Sequence, residues 1–274
     1  KECIAKQISY LREAPQPEQR TPEWYSYRNT LITASNLWKV FGSQAQRNSL
    51  IYEKCNILDE NSSSRNFGSV NSPMHWGVKY EPVTVMIYED MYSATIEEFG
   101  CIQHPEYSFI GASPDGININ ENSLRYGRML EIKNIVNREI TGIPKKEYWI
   151  QTQIQMETCN LDKCDFMETR FKEYISEDEF YNNPEKREYK GIILHFIPRE
   201  LGIDFVNPIY EYMPLSIENN KEVIDAWIQE KKEEKAKDDK VLFTTLYWYL
   251  EEYSCVLIER NKKWFETAEP KIKE

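Results

Sequence analysis

Residues 109–116 read Phe-Ile-Gly-Ala-Ser-Pro-Asp-Gly, and residues 129–133, after a loop, read Met-Leu-Glu-Ile-Lys. Asp115 follows an apolar run, Tyr107 to Ala112, and sits in a Ser-Pro-Asp-Gly turn signal. Glu131 and Lys133 lie in a second apolar run, Met129 to Ile135, whose composition predicts a buried strand. Together the runs predict a β-hairpin carrying two acids and a lysine. Side chains two apart on a strand share a face, so Glu131 and Lys133 project together while Ile132 points into the core. Such a set offers oxygen ligands for a hard divalent cation with a positive charge beside it, the minimum for metal-assisted phosphodiester hydrolysis. An edge strand with a structural ion pair accounts for the hairpin alone equally well.

The pattern Glu-x-Lys carries little by itself. It recurs at Glu188/Lys190, Glu230/Lys232, Glu233/Lys235 and Glu269/Lys271, all in polar segments. Glu131 and Lys133 differ because charged residues rarely enter an apolar strand unless paired or metal-bound.

A chain of 274 residues can bury a substantial core, and the reading is one domain over 1–274, with 175–245 as an insertion or elaboration. Its 45 acidic against 34 basic residues, a net charge of −11, argue against a nonspecific nucleic-acid coat but not against a nuclease, whose metal ligands are themselves acidic. The absence of a long apolar run and of a signal-peptide core predicts a soluble, intracellular protein without membrane contact. The 6 cysteines are scattered with no Cys-x-x-Cys pair, which predicts free thiols. Of the 3 histidines, His195 reads as a hydrogen-bonded core residue and His75 as a weak metal candidate.

Elements follow in order along the chain. An amphipathic helix is expected over 1–12 and is broken by the Pro/Gln/Glu stretch 14–20. Thr21-Pro22 starts a second helix, and Ser35 is expected to cap a third through Val40. Residues 47–58 read as helix, 59–71 as a polar loop and 73–91 as a long helix behind Ser72-Pro73. Strands are expected near 95–103, 107–113 and 128–135, then a helix at 145–159 and a strand at 163–174. Beyond them come an acidic loop at 175–188, strands at 190–198 and 204–213, and a charged helix at 217–238. An apolar stretch at 241–259 leads to a basic-aromatic helix from Asn261. The order is α/β, a mixed sheet flanked by helices.

Taken together these pieces resemble the PD-(D/E)xK nuclease superfamily, in its λ-exonuclease/YqaJ-type viral recombinase branch and its giant-virus (Mimivirus-like) members. The resemblance rests on ordered motifs. Trp24 to Ser35, with Arg28 inside it and Ile-Thr-Ala-Ser at its end, resembles the N-terminal block. Trp76-Gly77-x-x-Tyr80-Glu81 resembles the helix motif, while Ser113-Pro114-Asp115-Gly116 and Leu130-Glu131-Ile132-Lys133 resemble the two metal motifs. Tyr148-x-x-Gln151-x-Gln153 and Cys255-Val-Leu-Ile-Glu-Arg-Asn complete the series. The match covers roughly 22–174 and 254–274, and a bland turn-and-salt-bridge account becomes improbable beside it.

The resemblance implies a PD-(D/E)xK restriction-endonuclease-like core and a Mg²⁺ or Mn²⁺ cofactor held by Asp115, Glu131, the Ile132 carbonyl and Glu81. It implies that Lys133 orients or deprotonates the attacking water and stabilises developing charge, that Gln151 positions the lysine or the phosphate, and that Tyr148 lines the site. Arg28 and Ser35 resemble a pocket for a 5′-terminal phosphate, with Trp24 stacking on the terminal base pair. Each has a plainer alternative: Glu81 as an exposed helix residue, Tyr148 as a core aromatic, Arg28 paired with an acid, Ser35 as a mere cap. Gln151 and Gln153 cannot share a helix face, so at most one of them acts.

The implied activity is a divalent-metal-dependent deoxyribonuclease, a 5′→3′ exonuclease on duplex DNA ends with endonuclease activity compatible. A non-catalytic DNA-end-binding recombination accessory module is the alternative. DNA, as duplex ends or single strands, is the implied partner, and ring-forming relatives point to a homo-oligomer without fixing its symmetry. Lys145, Lys146, Arg125 and Arg128 are expected to line the mouth of the site. Only Cys255 lies beyond 164, which predicts no iron–sulfur cluster. If viral, the protein is expected in the host cytoplasm.

Overall fold

The computed structural model describes residues 1–55, 72–200 and 208–274, and every structural statement concerns these. The opening periodicity forms α1 (Glu2–Glu13), with Ile8 and Leu11 buried. α2 (Pro22–Asn29) begins where the sequence demands, with Pro22 in the first turn and Thr21 Oγ1 accepting from Trp24 N at 3.2 Å. Then come β1 (Ile32–Thr33), α3 (Ala34–Leu37), a 3₁₀ turn at Trp38–Phe41 and α4 (Gln44–Cys55). Thr33, not Ser35, stands at the cap position of α3, and no side chain caps it. Ser35 is one residue inside the helix, where its hydroxyl is free to serve another partner. The end of the 47–58 helix and the 59–71 loop fall outside the described residues.

α5 (Pro73–Tyr92) is capped by Ser72, whose hydroxyl accepts from His75 N at 3.1 Å. The expected strand at 95–103 is two short pieces, β2 (Ile96–Glu97) and β3 (Ile102–Gln103), in different sheets. β4 (Ile110–Ala112), β5 (Gly116–Asn118) and β6 (Met129–Asn134) follow. β4 lies in a small sheet, ordered β1-β4-β3, and does not pair with β6. The hairpin is made instead by β5 and β6, in register Gly116↔Leu130. Asp115 therefore sits where the chain crosses between sheets. Pro114 has no N–H with which to extend a ladder through this crossing.

The remaining elements are α6 (Lys146–Cys159), β7 (Lys163–Glu173), α7 (Glu177–Asn182), β8 (Lys190–Pro198), β9 (Ile209–Tyr212), α8 (Lys221–Ala236), β10 (Lys240–Glu259) and α9 (Lys262–Lys273). α7 occupies part of the expected acidic loop because Ser176 Oγ accepts from Glu179 N at 3.1 Å and starts a turn of helix. The beginning of the expected 204–213 strand is outside the described residues. β10 is longer than any other strand and joins the halves of a seven-stranded sheet, ordered β2-β5-β6-β7-β10-β8-β9. β6 and β7 run parallel there and the other pairings are antiparallel. Segment 175–245 thus supplies strands to the same sheet.

Two helices position β6. Leu130 and Ile132 pack with Tyr80, Val83 and Ile87 of α5, while Met129 packs with Met156 and Cys159 of α6. Strand alternation then turns Glu131 and Lys133 toward α6, as the sequence requires. Trp248 and Phe171 meet edge to face at 5.5 Å in the core beneath α5. No helix among the described residues is long and apolar enough to cross a membrane.

Candidate active site

Asp115, Glu131, Lys133, Gln151, Glu81, Arg28, Ser35, Trp24, Tyr148 and Ile132 all line one cavity of about 380 Å³. The sequence could name these residues but not bring them together. That took the crossing at Asp115, the parallel β6–β7 pair and two helices closing from opposite sides.

Glu131 is only 2% exposed, so its carboxylate needs partners within the protein. Lys133 Nζ donates to Oε1 at 2.5 Å, Gln151 Nε2 to Oε1 at 2.8 Å and Gln155 Nε2 to Oε2 at 2.8 Å. Gln155 was missed in the sequence, although it lies one helical turn beyond Gln151 on the same face. Gln153 faces elsewhere: its amide donates to Glu259 O and accepts from Asn261 N. Lys133 also donates to Gln151 Oε1 at 3.2 Å and stands 5.0 Å from the centre of the Tyr148 ring. Burial works against the charge on Lys133, but Glu131 and then Asp115 outweigh it and hold the ammonium protonated above the ordinary lysine range.

Asp115 is pinned to β6 because its Oδ2 accepts from Ile132 N at 2.7 Å. Burial, then the charges of Glu131 and Glu81, push its carboxyl well above the usual carboxylate range. Glu81 is raised as well, by burial first and against the pull of Arg20, whose Nη2 donates to both of its oxygens at 2.6 and 2.8 Å. Among the described residues no group of three or more His, Cys, Asp or Glu side chains stands at metal-ligand spacing, and Asp115, Glu131 and Glu81 each accept from a donor of the protein. The donor set nonetheless suits a hard cation. Three crowded carboxyls, two of which resist ionising, gain most from a divalent charge placed among them.

The second half of the cavity holds a guanidinium. Arg28 is half-buried and has no carboxylate within ion-pair distance among the described residues. Its Nη1 donates to Ser113 Oγ at 3.2 Å and its Nη2 to Ser35 Oγ at 3.3 Å. Trp24 stacks against it at 4.2 Å and donates to Ser113 from Nε1 at 3.3 Å. A guanidinium whose partners among the described residues are two hydroxyls and an indole face is prepared for an anion from outside. Ser113 and Arg20 were not singled out as functional in the sequence, Ser113 being visible only as part of the turn motif.

None of the four expected mouth residues, Arg125, Arg128, Lys145 and Lys146, is among those lining the cavity. Arg125 and Arg128 donate to the buried Asp165 at 2.8 and 3.0 Å, which also accepts from Tyr88 Oη at 2.6 Å. Lys145 and Lys146 are exposed at the start of α6. His75 bonds Tyr210 Oη at 2.6 Å, and His195 is buried against Tyr210 with Nε2 unpartnered.

Comparisons agree with this architecture. The YqaJ-like viral recombinase domain matches residues 23–162 of the 274. An uncharacterized protein of Acanthamoeba polyphaga mimivirus is 28% identical over 298 residues, which take in 97% of this chain and 53% of that protein. The chain therefore spans about half the length of this curated relative. An alkaline exonuclease from Laribacter hongkongensis superposes with a TM-score of 0.51 at 19% identity, covering 92% of this chain and 89% of its own. The same exonuclease in complex with dAMP gives 0.50 at 20% identity over the same shares. At that identity the likeness is one of fold, the PD-(D/E)xK core expected from the motifs.

Proposed function

The chain belongs to the YqaJ-like viral recombinase domain family, and from that premise we propose that it is a divalent-metal-dependent deoxyribonuclease degrading duplex DNA from 5′ ends. One observation carries the reading: the acidic pocket of Asp115, Glu131 and Glu81 shares a cavity with a guanidinium, Arg28, that has no carboxylate partner among the described residues and is bracketed by two hydroxyls. The alkaline exonuclease fold, one example of which binds dAMP, supports a nucleic-acid substrate. The giant-virus relative supports a working place in the host cytoplasm.

Asp115, Glu131 and the Ile132 carbonyl, with Glu81 from α5, would hold Mg²⁺ or Mn²⁺. The cation supplies Lewis acidity and lowers the pKa of a coordinated water. The chain's own groups do the rest. Lys133, held as an ammonium, donates toward the phosphoryl oxygens and stabilises the charge that develops there, which suits it better than the role of base. Gln151 and Gln155 fix the Glu131 carboxylate and, through Gln151 Oε1, the direction of the Lys133 ammonium. Arg28, Ser35 and Ser113 receive the terminal 5′-phosphate, and Trp24 stands where the terminal base stacks.

The test uses linear duplexes with 5′-phosphate or 5′-hydroxyl ends in Mg²⁺, beside a covalently closed circle. Expected are cleavage of linear DNA abolished by EDTA or by Asp115→Ala, and a preference for phosphorylated ends that Arg28→Ala removes. Cleavage that survives EDTA would sink the metal mechanism, and equal cutting of the closed circle would turn the assignment to an endonuclease. DNA retention without hydrolysis in Mg²⁺, Mn²⁺ and Ca²⁺ would leave a DNA-end-binding recombination module.

A further inference from the structure

Arg20 stands at φ +65°, in the left-handed region that side chains other than glycine seldom adopt without something to hold them there. The segment that carries it is well anchored. Gln16 Oε1 accepts from Gly100 N at 2.6 Å, and Gln19 Nε2 donates to Phe99 O at 2.7 Å and to Pro114 O at 3.1 Å, next to Asp115. A Cβ on Gly100 would collide with Pro17 O, so the segment is pressed onto that backbone. This path aims the Arg20 guanidinium into the catalytic cavity. There Nη2 grips both oxygens of Glu81, and its other nitrogens donate to no protein group among the described residues. The pair is partly open to water, with side-chain exposures of 38% and 20%.

Resting on the reading of this pocket as a metal-dependent nuclease site, we propose that Arg20 is a positioning residue that serves two anions in turn. It holds Glu81 in the cation-free molecule, and it passes to a phosphate of the bound DNA strand when Glu81 turns to a divalent cation. Glu81 is held among the described residues by Arg20 alone, whereas Asp115 is pinned by a strand amide and Glu131 by two helix glutamines besides Lys133. A cation that takes Glu81 leaves the guanidinium beside a pocket whose other carboxylates, Asp115 and Glu131, are already committed to β6 and α6. A partly buried guanidinium needs a new anion, and its planar fork fits phosphate oxygens. The competing account is a surface clip of small value that holds the loop.

Arg20→Gly removes the side chain and suits the positive φ, so the loop keeps its path, and Arg20→Lys restores the charge. The first measurement is calorimetric binding of Ca²⁺ without DNA. Loss of the competing guanidinium should tighten binding by about two- to fivefold, the scale of a partly exposed ion pair. The second is the slope of log affinity against log salt for a 5′-phosphorylated duplex. With Ca²⁺ present the slope should shrink by about 0.9 in Arg20→Gly, one phosphate contact, and recover in Arg20→Lys. Without any divalent cation, the wild type and Arg20→Gly should give the same slope. Weaker or unchanged Ca²⁺ binding in Arg20→Gly overturns the exchange, as does an unchanged slope with Ca²⁺ or an equal loss without it. A wild type that binds no cation and cleaves nothing sinks the nuclease reading itself. A wild type that does both while Arg20→Gly matches it throughout sinks only the exchange.

Discussion

Asp115→Asn should raise the melting temperature of the cation-free protein while abolishing cleavage. The substitution is nearly isosteric, and the retained amide oxygen still accepts from Ile132 N. It removes one of three negative charges from a pocket in which burial and Glu131 already drive the Asp115 carboxyl upward. Like charges this close in a partly screened pocket repel by about 1–4 kcal/mol at an effective dielectric constant of about 20. Attraction to Lys133 is lost in the same exchange, which leaves a net gain of about 1 kcal/mol. For a chain of this size that corresponds to about 2–4 °C. The pH sign follows from the raised pKa. The Asp115 contribution to wild-type stability is fully present below the unfolded-state carboxylate pKa and is lost as pH rises through the folded-state value; the variant lacks this component. Mg²⁺ should reverse the ranking, because a ligand at a hundred times its Kd adds about 2.7 kcal/mol to the state that binds it. Scanning calorimetry in EDTA and in Mg²⁺ at several pH values, beside a cleavage assay, reads all of this. A variant that melts below the wild type in EDTA, or that gains as much from Mg²⁺, refutes the reasoning.

Three further outcomes are expected. Gln155→Leu strips one donor from the buried Glu131 carboxylate and should cost about 1.5–3 kcal/mol, seen as a lower urea midpoint at unchanged slope. Asp165→Asn leaves Arg125 and Arg128 without their shared carboxylate and should cost about 3 kcal/mol, the low end for a broken buried pair because the arginines keep some solvent; a loss under about 1 kcal/mol in the same denaturation would mark the network as peripheral. Burial holds His75, His104 and His195 below the ordinary imidazole range, so their contribution to stability is complete above about pH 6.5 and lost as pH falls through the folded-state values. Urea midpoints measured from pH 7.5 downward should decline, and less steeply in His195→Gln; identical slopes would refute the assignment.

Much of the fold and of the candidate site could be read along the chain. Thr21-Pro22 and Ser72-Pro73 start helices because capping is local chemistry, and Glu131 and Lys133 share a face because strand alternation is local geometry. The burial of Glu131 and the half-burial of Lys133, the signal that separated them from the other Glu-x-Lys pairs, follow from the apolar residues on either side. Local rules failed where partners came from afar. The run ending at Ala112 joined β1 and β3 rather than β6, Ser35 gave its hydroxyl to Arg28 rather than to a helix end, and Arg125 and Arg128 went to Asp165 on β7. Arg20 lay in a stretch legible only as a helix break, and Gln155 was one glutamine among several. The tertiary structure alone decided which donor meets which carboxylate, because those pairings depend on how α2, α5 and α6 converge on β6. The amino-acid order determines each helix and strand by short-range patterning, whereas a long-range approach across the sheet depends on the packing of the whole.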